Sequence, residues 1–189
     1  MRRLRRKDLT WVGLIIILFT WAGQQYGWFD GASQQVAKNQ PGLYSVSRFV
    51  DGDTITIDMN GKTETVRMIG VDTPETHKPN TPVQCYGPAA ATYTKHLIGD
   101  KSVRLEADPK NQNRDRYGRL LRYVYLPDGH LVESELIKNG YGFAYTSFPF
   151  SKADQFVADE LAAKSTGKGL WGNCTVTEDQ GRKQTNDAS

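Results

Sequence analysis

The chain has 189 residues, with 24 Lys and Arg against 21 Asp and Glu, a length that buries one respectable core and favours a single main domain. Five of the basic residues stand in RRLRRK, residues 2–7, so residues 8–189 hold 19 basic and 21 acidic side chains and the formal charge of +3 becomes −2. That excludes a body that grips polyanions through bulk charge; any hold on nucleic acid must come from local arrangement.

The leader pairs its basic flank with an apolar run from Leu9 to Gly23, the pattern of an export signal or a signal anchor. Fifteen helical residues span only about 22 Å, short of a hydrocarbon core of about 30 Å, but Trp28 and Phe29 extend the run with interfacial aromatics. Residues 1–29 therefore read as an uncleaved anchor, with a signal peptide cut near Gly31-Ala32-Ser33 as the alternative. Either way the rest lies outside the cytoplasm, tethered to the membrane or secreted. Residues 30–42, rich in Gln, Gly and Ser, read as a linker.

The domain is expected over residues 43–174. LYSVSRFV forms a first strand, VDGDT turns the chain, and residues 54–59 alternate as a second strand. Asn60-Gly61 is a strong hairpin signal, because both residues tolerate positive φ, and residues 63–69 return as a third strand. Gly87-Pro88 opens a helix that Gly99 closes. Strands follow at 103–107 and 120–126, separated by the polar loop DPKNQNRDRYG. A short helix covers 132–139, and Ser151 caps a last helix reaching residue 165. The polar segment 175–189 reads as a disordered tail. Cys85 and Cys174 stand alone, so in an oxidising compartment they pair as one disulfide. Two separate buried thiols are the alternative, and their spacing offers no zinc pattern.

Five short strands with an interposed helix, three helices in all, fit an α+β fold built on a five-stranded OB-fold barrel, whose face and loops bind nucleic acids or sugars. Composition alone leaves other α+β arrangements open. Three segments concentrate chemistry: VDGDT with Asp51 and Asp53, RMIGVDTPE with Arg67, Asp72, Thr73 and Glu75, and DRYGR with Asp115, Arg116, Tyr117 and Arg119. The hairpin brings the start of strand two beside the end of strand three, hence Asp53 near Asp72. Two carboxylates with a backbone carbonyl make an oxygen-only site that suits calcium, and the lack of His or Cys counts against zinc. Arg67 and Asp72 are five apart, so regular alternation would point them to opposite faces unless Gly70 or Pro74 breaks it. Taken singly, each acid is an ordinary turn or surface residue; together with two arginines able to grip a tetrahedral anion they are less ordinary.

VDGDT, VRMIGVDTPET and DRYGR in that order, with YGPAA between the last two and GLW near the end, resemble the staphylococcal nuclease family from about Tyr44 to Trp171. The resemblance implies an OB-fold barrel and a calcium-dependent phosphodiesterase that cleaves DNA and RNA and leaves 3′-phosphates. It implies calcium on Asp53, Asp72 and the Thr73 carbonyl, Glu75 acting on the attacking water, and Arg67 and Arg119 on the phosphate. Tyr117 with its neighbour Arg116, and Tyr145 in GFAYTSF across a one-residue gap, fall to substrate binding. Cys85 and Cys174 depart from the staphylococcal enzyme and read as a disulfide tying the loop after PET to the GLW segment. The slightly negative body favours short or single-stranded substrates; a monomer is the expected state. The rival readings are a non-catalytic nucleic-acid-binding barrel and a barrel that binds sugar polymers.

Overall fold

The computed structural model describes residues 42–76, 82–179 and 181–188, so the predicted leader and nearly all of the predicted linker lie outside it. Among the described residues no helix is long and apolar enough to cross a membrane. Strands β1 (Leu43–Tyr44), β2 (Val46–Asp51), β3 (Thr54–Met59) and β4 (Lys62–Met68) lead into β5 (Val71–Asp72). Helix α1 (Gly87–Ile98) precedes β6 (Val103–Glu106) and β7 (Leu120–Tyr125); α2 (Val132–Lys138), β8 (Phe143–Ala144), α3 (Ala153–Ser165) and the single turn α4 (Leu170–Asn173) follow.

The main sheet has the order β1-β6-β7-β4-β3-β2. Strands β1 and β2 sit at opposite ends of that order, yet only Ser45 separates them in sequence. One residue spans a few ångströms at most, so the sheet has to curl until its two ends meet. The predicted first strand is thus one strand shared between both edges: Leu43 pairs with Arg104, and Val46 pairs with Ile57. Closure of this kind is that of the expected OB-type barrel, a mixed sheet with β4 and β7 parallel and helices packed around it.

Alternation along the strands fills the interior. Ile55, Ile57, Val66, Met68, Val103, Leu120 and Val124 are all buried within one core cluster, joined from outside the sheet by Ile98, Leu136, Ile137 and Phe156. The β3–β4 turn is the one Asn60-Gly61 predicts: their φ values are 56° and 80°, and Gly61 N–H donates to Asp58 Oδ1 at 2.7 Å. Helix α1 carries Pro88 in its first turn and ends at Gly99 as expected.

Two local expectations are corrected. Ser151 does not cap α3, whose N-cap position is Lys152; its N–H and hydroxyl donate instead to Asp108, which also accepts from the Tyr123 hydroxyl. The buried carboxylate wins Ser151 because it needs donors more than a half-exposed helix end does. Nor is the segment after Cys174 a disordered tail. Strands β9 (Val176–Asp179) and β10 (Arg182–Thr185) pair antiparallel as a hairpin. Asn186 ties its base together, donating its N–H to Thr175 O at 3.0 Å and accepting the Thr175 N–H on Oδ1 at 2.8 Å. Cys85 and Cys174 form the expected disulfide, which brings the hairpin's root to the segment before α1.

Candidate active site

The acids and arginines meet at the ends of β2, β4 and β5. Gly70, between β4 and β5, has a φ of 73°, a left-handed backbone that breaks strict alternation. The chain therefore turns so that Arg67 and Asp72, five apart, face each other: Arg67 Nη2 donates to Asp72 Oδ1 at 2.8 Å. The other nitrogen, Nη1, donates to the carbonyls of Met68 at 3.1 Å and Val71 at 2.7 Å, which locks the guanidinium in place.

Asp53 lies where the sequence puts it, beside Asp72. Its Oδ1 accepts from Thr54 Oγ1 at 2.9 Å, and its Oδ2 accepts from Thr73 N–H at 2.8 Å and Thr73 Oγ1 at 3.0 Å. Arg67 Nη2 reaches the same Oδ2 at 3.2 Å. A single nitrogen thus touches both carboxylates expected to share a metal ion. Asp51 sits one turn away, its Oδ1 accepting from Gly52 N–H and Thr76 Oγ1, each at 2.9 Å.

Glu75 is clamped through its backbone by Gln84. Its N–H donates to Gln84 Oε1 at 2.8 Å, and its carbonyl accepts from Gln84 N–H at 2.9 Å. Gly87 at the start of α1 closes tightly behind it: a Cβ there would lie 2.8 Å from Glu75 O. Arg119 is held by Asp115, which accepts its Nε–H at 2.7 Å and its backbone N–H at 3.0 Å. Tyr117 projects outward, 68 % exposed, and Arg116 donates to its hydroxyl at 2.7 Å. Tyr145 packs edge-on against Phe148 at 5.4 Å between ring centres, and its N–H donates to Gly70 O. All nine residues assigned to catalysis, metal and substrate line one open cavity of about 680 Å³.

The electrostatics are those of crowded acid. Burial pushes the Asp72 carboxyl above the ordinary carboxylate range, with the Asp53 charge adding to the rise against the pull of Arg67 and Arg182. Burial likewise raises Asp51, again helped by Asp53. Among the described residues no three acidic, His or Cys side chains converge as a ready-made metal cage. Asp51, Asp53, Asp72 and Glu75 nevertheless line the same cavity. Carboxylate oxygens of this kind fit a hard cation that draws the rest of its shell from water and substrate.

One site residue is absent from the sequence reading. Arg182, on β10, donates from Nε to Asp72 Oδ2 at 2.9 Å and from Nη2 to Asp72 Oδ1 at 3.3 Å and Glu75 Oε1 at 3.2 Å. Its sequence signal is Gly181 between two four-residue segments edged by Val176 and Thr185, a hairpin pattern hidden by polar composition.

The family model described as "Staphylococcal nuclease homologue" matches residues 65–173, so Asp53 and Arg182 lie on either side of it. Over 149 residues the chain is 45% identical to "Endonuclease YncB" of Bacillus subtilis (strain 168), covering 77% of this chain and 70% of that protein. It is 41% identical over 163 residues to a "Thermonuclease" of Staphylococcus hyicus, covering 86% and 94%. A "Thermonuclease" of Staphylococcus intermedius is 45% identical over 130 residues, covering 68% and 73%.

Proposed function

The chain belongs to the staphylococcal nuclease family, and from that premise we propose that it is an exported, calcium-dependent endonuclease that hydrolyses DNA and RNA to products with 3′-phosphate ends. The observation that carries this reading is the meeting of Asp53, Arg67, Asp72, Glu75 and Arg119, drawn from three separate segments, around one cavity. A barrel kept only for binding has no need of that set. The disulfide fits an oxidising compartment and so supports export, with the leader as anchor or signal.

Asp53, Asp72 and the Thr73 carbonyl would hold the calcium ion, which would supply Lewis-acid withdrawal of charge from the phosphate. The protein's own groups do the rest. Glu75, fixed at both backbone ends by Gln84, orients a water and takes its proton as the water oxygen attacks phosphorus. The bond to the 5′-oxygen breaks in line; that oxygen leaves and takes a proton from solvent to become the 5′-hydroxyl, and the phosphate stays on the 3′ side. Arg67 and Arg119 gather charge on the equatorial oxygens, where loss of one preorganised donor typically costs about 10²–10³ in rate. Tyr117, exposed at the rim with Arg116 against it, offers a stacking face that any base can use, and Tyr145 lines the same cavity.

Incubating the full-length protein with denatured DNA tests this. The expected result is hydrolysis with calcium, none with chelator, and 3′-phosphate ends on the fragments. Glu75→Gln should keep calcium binding and lose about 10²–10⁴ in kcat. Tight binding of the DNA without cleavage would point to the non-catalytic barrel.

A further inference from the structure

The C-terminal hairpin is built asymmetrically. Its root is fixed covalently and by backbone bonds: the disulfide at Cys174, Cys85 N–H to Asn186 O at 2.7 Å, Thr185 Oγ1 to Cys85 O at 2.8 Å, and Ala188 N–H to Val83 O at 2.8 Å. Its turn end meets the body differently. There Arg182 lies on Asp72 and Glu75, and Lys183 Nζ lies on Glu160 Oε2 at 2.7 Å. None of β9 is buried, and of β10 only Thr185 is buried, at the root end. A small void of about 40 Å³ remains under the hairpin, beside Gln84 and Phe143. A root held by covalent and backbone bonds and a tip held by ions describe a flap with a fixed hinge.

The ionic contacts fall on the groups the nuclease reading needs. Arg182 covers both oxygens of Asp72, the carboxylate assigned to calcium, and one oxygen of Glu75, the carboxylate assigned to the water. Asp72 Oδ1 accepts from both Arg67 and Arg182 and Oδ2 accepts from Arg182, so a metal has to compete with charge-assisted bonds at either oxygen. We propose that Arg182 is an internal cation that closes the active site: it pairs with Asp72 and Glu75 in the resting enzyme, and calcium must displace it, swinging the hairpin tip away from the acids about its fixed root. This rests on the calcium assignment above. Reciprocity follows from linkage: if the guanidinium opposes calcium, calcium must loosen the hairpin by the same factor. A forked pair of this exposure, 43 % for the Arg182 side chain and 9 % for Asp72, is expected to weaken calcium binding by about tenfold or less.

Calorimetric titration of calcium into the full-length protein, without nucleic acid, reads this directly. Arg182→Ala should bind calcium up to about tenfold more tightly than the unaltered protein, and Arg182→Lys, which keeps the charge but loses the fork, should fall between. Adding calcium to the unaltered protein should speed hydrogen exchange at the amides of β10 near Arg182, while those of Cys85 and Asn186 at the root stay protected. Unchanged calcium affinity in Arg182→Ala, in a variant that keeps the native circular dichroism spectrum, overturns the proposal; so does unchanged exchange at β10. A fall in calcium-saturated turnover with no change in calcium affinity also overturns it and makes Arg182 a substrate contact. If Asp53→Asn and the unaltered protein both fail to bind calcium, the metal assignment itself falls and takes this proposal with it.

Discussion

Replacing Gly70 with alanine tests whether one backbone angle assembles the site. At a φ of 73° a residue with a Cβ is strained, by about 1–2 kcal/mol for the left-handed region. The added methyl would also lie 2.6 Å from two carbons of the Phe150 ring and 3.0 Å from Phe156, well inside the usual 3.5–4.0 Å separation. Those rings are 2 % and 0 % exposed, so neither has room to retreat, and overpacking of this kind adds about 1–3 kcal/mol. The sum is about 2–5 kcal/mol, a large share of a domain's usual 5–15 kcal/mol. Urea melts of the alanine variant and the unaltered protein give this difference directly. Because the same residue sets the angle that brings Arg67 onto Asp72, nuclease activity measured well below the melting transition should fall at least about tenfold as well, the effect of a displacement of about an ångström. A variant within about 0.5 kcal/mol of the unaltered protein and fully active would refute the claim that this turn builds the site.

Removing the disulfide with Cys85→Ser and Cys174→Ser together opens a loop closed over a sequence separation of 89, and chain-entropy arguments predict a loss of about 4–5 kcal/mol. In a protein of this size that lowers Tm by roughly 10–20 °C; a loss under about 1 kcal/mol in urea melts would mean the bridge does little to the unfolded chain. Acid stability should report on Glu64, whose carboxyl is held down to about 2 chiefly by the Arg114 guanidinium bonded at 2.8 and 3.0 Å. A depressed acid stabilises fully above its unfolded value of about 4.5 and loses that contribution as pH falls towards 2. Glu64→Gln should therefore show a shallower fall in stability from pH 5 to pH 2.5 than the unaltered protein, measured as the urea midpoint at each pH.

What could be read in the sequence was mostly local. Asn60-Gly61 announces its turn because positive φ is a property of two adjacent residues, and α1 announces both ends through Pro88 and Gly99. Asp53 and Asp72 could be placed together because one hairpin carries both strand ends. The misreadings concern partners that lie far away in the chain. Ser151 looks like a cap until Asp108, 43 residues earlier, claims it. LYSVSRFV looks like a single strand on one edge, and only the pairing of Leu43 with Arg104 reveals that it serves two. Arg182 looked like one more charge in a polar tail, since nothing near it in sequence says that Asp72 and Glu75, more than 100 residues back, await it.

The closing of the main sheet on itself matters for how copies of the protein behave when crowded together. Open strands left bare along a rim invite another chain to add on and begin a fibre. Here β3, β4, β6 and β7 have strand partners on both flanks, helix α1 packs against the end strand β2, and the small β9–β10 ribbon that lies apart from them bears Glu178, Asp179, Arg182 and Lys183 along its short length. A concentrated solution of the folded protein therefore has little template on which to seed cross-β growth, even though its barrel strands are rich in Ile, Val and Tyr.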